Sequence, residues 1–252
     1  MSLAAKLTRP AALLRRVWQP RSSHAAVAAL ARPAGLSRRF CSAATAAAPL
    51  VHLPTDREQP QLAALRHTAA HVLGQAVQTL FPQAQATLGP WTEDGFYYDF
   101  ANPEPFSAKD LKRIKKEMDR IIKRNLPLLR EEVSAEEARA RLEARGESYK
   151  LEILQGIEAR GDDTITIYHN GEEWWDLCAG PHVNSTGDLQ PKAIELTTVS
   201  AVHWRGATGS PELQRVAGVA WETAEQLAEW KRRTEEAARR DHRTIGTALD
   251  LL

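Results

Sequence analysis

Residues 164–182 read Thr164-Ile165-Thr166-Ile167-Tyr168-His169-Asn170-Gly171-Glu172-Glu173-Trp174-Trp175-Asp176-Leu177-Cys178-Ala179-Gly180-Pro181-His182. Ile165 and Ile167 alternate with Thr164, Thr166 and Tyr168, the period of two that a strand requires. Asn170-Gly171 predicts a type I′ turn, because both residues tolerate positive φ, so the chain doubles back as a hairpin through Trp174–Cys178. Trp174 and Trp175 then face opposite sides of that second strand, one to fill the core and the other to wall a cleft. The hairpin ends on Asp176, Cys178 and His182, which place a carboxylate, a thiol and an imidazole within seven residues.

Working outward, Leu62, Leu65, Ala69, Val72, Ala76 and Leu80 recur at three- and four-residue spacing and predict an amphipathic helix closed by Pro82. His67 and His71 fall opposite that stripe, with Gly74 beside them, and are therefore expected outside the core. After Gly89-Pro90, the run Gly95–Phe100 suits a strand. Ser107-Ala108-Lys109-Asp110 forms a capping-box signature for a helix through about Arg124, with Leu111, Ile114, Met118, Ile121 and Ile122 inward. Its other face is basic: Lys109, Lys112, Arg113, Lys115, Lys116, Arg120, Lys123 and Arg124. That stripe suits either solvent or nucleic-acid phosphate. A second helix from Ser134 to Gly146 is expected to pair antiparallel with it. Further strands are expected at Ala193–Val199 and near Leu213–Val219, and a charged helix from about Glu222 to Arg240. The class is α+β, with the strands concentrated after residue 150.

The 252 residues are 43% hydrophobic and 26% charged, ordinary values for a folded protein. No stretch approaches the roughly 20 apolar residues of a spanning helix, so no membrane partner is expected. The net charge of +1 conceals an asymmetry, since residues 1–55 hold Lys6 and seven arginines but no acid. The remainder carries 25 basic and 32 acidic residues, which argues against a general nucleic-acid binder. An Ala- and Arg-rich, acid-free leader over residues 1–50 reads as a transit peptide, with Arg38-Arg39-Phe40-Cys41-Ser42 as a processing neighbourhood. Mitochondrial delivery is favoured, with the chloroplast stroma or both as alternatives. Removing the leader leaves Cys178 as the sole thiol, so no internal disulfide can form.

His67-x-x-x-His71 on a helix puts two imidazoles on one face. With Cys178 and His182 they compose a set that could hold zinc tetrahedrally. The same residues also suit ester hydrolysis, which needs an oriented water, a proton acceptor and groups to offset a developing oxyanion. His67 and His182 titrate in the useful range, Lys150 can hold a water and offset negative charge, and Asp176 can orient an imidazole or a substrate amine.

His67-Thr68-Ala69-Ala70-His71, Gly95-Phe96-Tyr97-Tyr98-Asp99, Glu147-Ser148-Tyr149-Lys150, Asp176-Leu177-Cys178-Ala179-Gly180-Pro181-His182, Trp204-Arg205-Gly206, Leu213-Gln214-Arg215 and Arg240-Asp241-His242-Arg243 occur in this order. In that order they resemble threonyl-tRNA synthetases of the organellar and cyanobacterial type, over about residues 51–252. Related alanyl-tRNA editing proteins share the two His and Cys/His pairs, but Gly-Phe-Tyr-Tyr-Asp and Arg-Asp-His-Arg favour the threonyl branch. His203 stands where the family usually has an aromatic.

Beyond the leader at 1–50, which composition alone marks as a transit peptide, the resemblance implies an editing domain at 51–221 and a linker helix at 222–252 where the catalytic core would begin. It implies a threonyl/alanyl editing-domain fold with an antiparallel sheet, a long N-terminal site helix and a helical hairpin. It implies hydrolysis of serine from mischarged tRNA(Thr), with His67, His71, Lys150, Asp176, Cys178 and His182 in the site and His67 and Lys150 positioning the water. The partner would be the serine-carrying acceptor end of that tRNA, and possibly a separate synthetase. In the alanyl branch the His/Cys set binds zinc; in the threonyl branch it holds the tRNA terminus and water directly. Metal-independent hydrolysis is therefore expected, with zinc the alternative on His67, His71, Cys178 and His182. ATP would belong only to a full-length synthetase, so no ligase activity is expected of this chain alone. Besides a deacylase, the chain could be the first part of a threonine–tRNA ligase or a non-enzymatic tRNA-binding module.

Overall fold

The structure is a computed structural model and describes residues 51–161, 164–207 and 209–240. The leader at 1–50 and the end of the Arg240-Asp241-His242-Arg243 motif lie outside the described residues. Two antiparallel sheets organise the rest. The larger has the order β1 (Gln85–Ala86), β2 (Gly95–Ala101), β7 (Glu212–Ala220), β6 (Ile194–His203), and the smaller β3 (Leu128–Ser134), β4 (Thr164–Asn170), β5 (Trp174–Leu177). Five helices accompany them: α1 (Pro60–Leu80), α2 (Ala108–Lys123), α3 (Ala135–Arg145), α4 (Ser148–Glu158) and α5 (Ala224–Arg239).

The larger core forms where α1 and α2 meet the four-stranded sheet. Alternate residues Phe96, Tyr98 and Phe100 of β2 share one face and are at most 1% exposed, packed with Leu65, Ala69, Val72 and Leu73 of α1 and Ile114, Met118 and Ile121 of α2. Each such large apolar side chain contributes about 1.5–3 kcal/mol when removed from water. Ser107 caps α2 through Asp110 as its sequence indicates. Behind β2, Asp99 receives two hydrogen bonds from its cross-strand partner Arg215, at 2.8 and 2.9 Å.

Three local expectations are corrected. The helical hairpin is made by α3 and α4, not by the helices at 107–124 and 134–146. Residues 128–134 between those two are strand β3, paired along its whole length with β4. Its sequence Leu-Leu-Arg-Glu-Glu-Val-Ser buries only Val133, so this edge strand carries almost no apolar alternation to read. Strands consequently occur on both sides of residue 150. The β4–β5 hairpin is present, but its register pairs Asn170 with Trp174, which leaves the three-residue loop Gly171-Glu172-Glu173. Asn170 stays in the strand because it is fully buried and its amide donates to Gln75 Oε1 of α1; Gly171 alone in this turn has positive φ. The smaller core, under α3 and α4, gathers Val133, Ala138, Leu142, Leu154, Ile165 and Ile167.

Gly95 opens β2 opposite Val219 of β7, and a Cβ there would sit 2.1 Å from the Gly218 carbonyl oxygen and 2.7 Å from Val219 Cα. Neither backbone atom can rotate away. Gly156, inside α4, has open space around the same position. Gly95→Ala should therefore lower unfolding free energy by about 1–3 kcal/mol, whereas Gly156→Ala should raise it by about 0.5–1 kcal/mol. Urea midpoints of the two variants check this pair of opposite signs.

Candidate active site

All six sequence-predicted residues converge on one place, between the middle of α1, the start of α4 and the end of β5. Gly74 makes the convergence possible, because a Cβ there would lie 3.0 Å from both Trp174 and Tyr98. With hydrogen alone at that position, the hairpin closes over α1. Trp174 then meets His71 edge-on at 5.4 Å and donates its indole N–H to Gln78 Oε1 at 2.7 Å. Of the two tryptophans, Trp174 is thus both buried and at the site, while Trp175 packs on the smaller core under the Arg145 guanidinium.

His67 is 8% exposed and His71 1%. This corrects the expectation that their helix face lies outside: the hairpin and the 178–183 loop cover it, so α1 is buried on two sides. The covering is polar. Asp176 Oδ1 pairs with Lys150 Nζ at 2.6 Å, and Oδ2 accepts the Tyr98 hydroxyl at 2.6 Å with His71 Nε2 3.7 Å away. Lys150 and Asp176 are 4% and 5% exposed, so each depends on the other for charge compensation.

The hydrogen-bond partners fix two imidazole tautomers. His67 Nδ1 lies 3.2 Å from the Pro181 carbonyl, which only accepts, so Nδ1 carries the proton and Nε2 presents its lone pair. Thr68 spends its hydroxyl proton on the Ala64 carbonyl at 2.8 Å and accepts the Val183 N–H. His182 Nδ1, 3.1 Å from that hydroxyl, is therefore a donor, and its Nε2 is likewise bare. Both bare nitrogens face Cys178 Sγ, at 3.3 Å from His67 and 3.2 Å from His182. One ligand atom from each of His67, His71, Cys178 and His182 lies within 4.8 Å of the others, so the donor set fits a zinc ion in both type and convergence.

Burial dominates the proton affinities. It drives His67 below its ordinary value, and His71 and His182 further down, with the neighbouring imidazoles adding repulsion. It pushes the Cys178 thiol up to about 12, with the Asp176 carboxylate adding to the effect. At neutral pH the site therefore holds neutral imidazoles and a protonated thiol, a poor covalent nucleophile.

Sequence reasoning missed several contributors. Tyr98 stood inside a quoted motif, and its strand period placed it with Phe96 and Phe100, yet only the fold brings its hydroxyl to Asp176. Thr68 orients His182, and Gln78 holds Trp174 as well as the buried Glu147 carboxylate at 2.8 Å. Trp91 rests against His67 with ring centres 5.1 Å apart. His203, by contrast, is exposed at the end of β6, bonded to the Ser210 carbonyl.

Residues 165–217, which include Asp176, Cys178 and His182, match the family described as threonyl and alanyl tRNA synthetase second additional domain. Within that class the chain's similarity is to threonine–tRNA ligases. It is 60% identical over 207 residues to the threonine–tRNA ligase of Thermosynechococcus vestitus, covering 82% of this chain and 33% of that one. The corresponding enzyme of Synechococcus elongatus is 58% identical over 201 residues, 80% of this chain and 33% of the relative. That of Parasynechococcus marenigrum is 54% identical over 222 residues, 86% and 36%. The chain thus spans about a third of the length of the curated relatives it matches.

Three imidazoles held neutral by burial make stability depend on pH. Below 6.5 the unfolded chain takes up protons that the folded site resists, so unfolding free energy falls as pH drops through and beneath that value. Thermal melts of chelator-treated protein from neutral to acidic pH should show this loss. Replacing His71 by Gln should flatten it, because one of the resisting groups is gone.

Proposed function

We propose that this domain hydrolyses the ester of tRNA(Thr) mischarged with serine, as the editing part of a threonine–tRNA ligase. The observation that carries this is the convergence of His67, His71, Lys150, Asp176, Cys178 and His182, drawn from α1, α4 and the β5 loop, around one polar centre. The likeness to threonine–tRNA ligases supports the choice of tRNA. Serine keeps the hydroxyl that a threonine activation site binds and lacks only a methyl, a difference worth about 1–3 kcal/mol. A second pocket that accepts serine and excludes threonine by that methyl supplies the missing discrimination.

In the proposed reaction, the bare Nε2 of His67 accepts a proton as water adds to the ester carbonyl. The Lys150 ammonium, held by Asp176, has two further N–H donors for the oxygen on which negative charge develops. Collapse breaks the bond to the ribose oxygen, which takes the proton from His67, leaving free serine and the tRNA hydroxyl. Tyr98 fixes Asp176, and Thr68 fixes His182. Cys178, with its thiol pushed up to about 12, takes no covalent part.

The convergence of four soft and borderline donors favours one second reading. His67, His71, Cys178 and His182 would hold zinc, which when bound supplies a Lewis acid and a more acidic water. A histidine engaged as a ligand cannot also serve as a base, so we favour the metal-independent route.

Purified protein should release serine from Ser-tRNA(Thr) and largely spare Thr-tRNA(Thr). His67→Ala and Lys150→Ala should each lower the single-turnover rate by about 10²–10⁴-fold, the usual weight of a positioned base or oxyanion donor. Serine release no faster than the spontaneous rate, with folded protein and intact tRNA, refutes the proposal. Elemental analysis joined to deacylation after exhaustive chelation separates the two routes: activity should survive chelation. Stoichiometric zinc, with activity lost on its removal and restored on its return, would establish the zinc reading instead.

A further inference from the structure

We infer that the exposed indole face of Trp91 is the platform on which the 3′-terminal adenine of the tRNA stacks, an inference that rests on the deacylase proposal. The labile ester hangs from the terminal ribose, and the adenine hangs from that same ribose. Once the ester is fixed over His67 and Lys150, the base must land within one nucleoside of them.

Three large apolar side chains are exposed among the described residues: Leu88 at 42%, Trp91 at 37% and Leu129 at 55%. Trp91 alone combines an aromatic ring with contact to a site residue, lying 5.1 Å from His67 at an interplanar angle of 43°. The other rings at the site are already covered. Trp174 is buried, and Tyr168 is half-buried beneath His182 at 4.5 Å.

The backbone under Trp91 is held in place. Trp91 bridges to Phe96, and the Tyr97 N–H donates to the Pro90 carbonyl at 3.2 Å, so the indole is presented from a fixed main chain. Beside it opens a cavity of about 650 Å³, lined by Thr55, Asp56, Arg57, Trp91, Thr92 and Glu93. Its chemistry suits a nucleotide: the Glu93 carboxylate can accept from ribose hydroxyls or an exocyclic amine, and the exposed Arg57 guanidinium can meet the preceding phosphate. A second groove that reaches the site at His182, about 520 Å³, is lined by Gln61, His182, Asn184, Asp188 and Gln190 among others. It offers hydrogen bonds but no aromatic face apart from His182 itself, so the base is assigned to the Trp91 side.

The test titrates the full chain with the trinucleotide CpCpA while following tryptophan emission, beside Trp91→Phe and Trp91→Ala. Wild type should be quenched on binding. Trp91→Phe should bind with little loss but without that quench, and Trp91→Ala should bind about 5- to 100-fold more weakly, the range of base–aromatic stacking. In single-turnover deacylation, Trp91→Ala should raise the half-saturating Ser-tRNA concentration to a similar extent and leave the saturated rate in place. Unchanged quenching in Trp91→Phe, or unchanged half-saturation in Trp91→Ala, overturns the platform while leaving the deacylase reading intact. CpCpA binding that depends on Trp91 in a protein without deacylase activity keeps the platform and sinks the deacylase reading. Because the side chain is partly solvent-facing, circular dichroism of both variants should match wild type.

Discussion

The buried carboxylate of Asp176 is the constraint around which the site is arranged. Removed from water, it must be compensated, and it draws a lysine from α4 and a phenol from β2 toward one strand end, beside the neutral His71 imidazole of α1. Those three elements belong to different layers of the molecule. Satisfying one charge therefore fixes the position of the hairpin over α1, and with it the position of Cys178 two residues further on. The closeness this requires is allowed by Gly74, and the indole of Trp174 fills the space that remains.

What the sequence disclosed follows the physics of each signal. The α1 stripe, the Ser107 cap, the Gly146 stop and the strand at Gly95–Ala101 rest on local period and capping, and they are where the residues put them. Strand β3 was illegible because an edge strand with one buried side chain has no alternation to detect. The position of His67 and His71 was misjudged for a related reason. A helical wheel identifies the apolar face, but it cannot reveal a second, polar layer that closes over the other face.

The quoted motifs divide into two physical kinds once seen in place. His67–His71, Lys150 and Asp176–His182 meet in the site, whereas Asp99 and Gln214-Arg215 meet each other. Arg215 grips Asp99 across the sheet, and Gln214 accepts the Phe106 N–H and donates to the carbonyls of Asn102 and Glu104. The latter pair holds the loop that leads into α2. A motif in the sequence thus marks either chemistry or register, and only tertiary contact distinguishes them. The neutral, dehydrated state of the imidazoles was equally hidden, since burial is not a property of spacing.

The two sheets have separate cores, and the candidate site draws on both. His67, His71 and Tyr98 stand on elements of the larger core; Lys150, Asp176 and Cys178 stand on or beside those of the smaller. A packing unit of that size can open as a local cooperative unit, below the free energy of global unfolding. Backbone amides of β3, β4 and β5 would then exchange with solvent deuterium faster than those of β2 and β7, and the site would be dismantled in each such excursion while the larger sheet stayed folded. Occupancy of the cleft by any molecule bridging the two halves would slow that exchange, which makes the smaller sheet a built-in reporter of what the site holds.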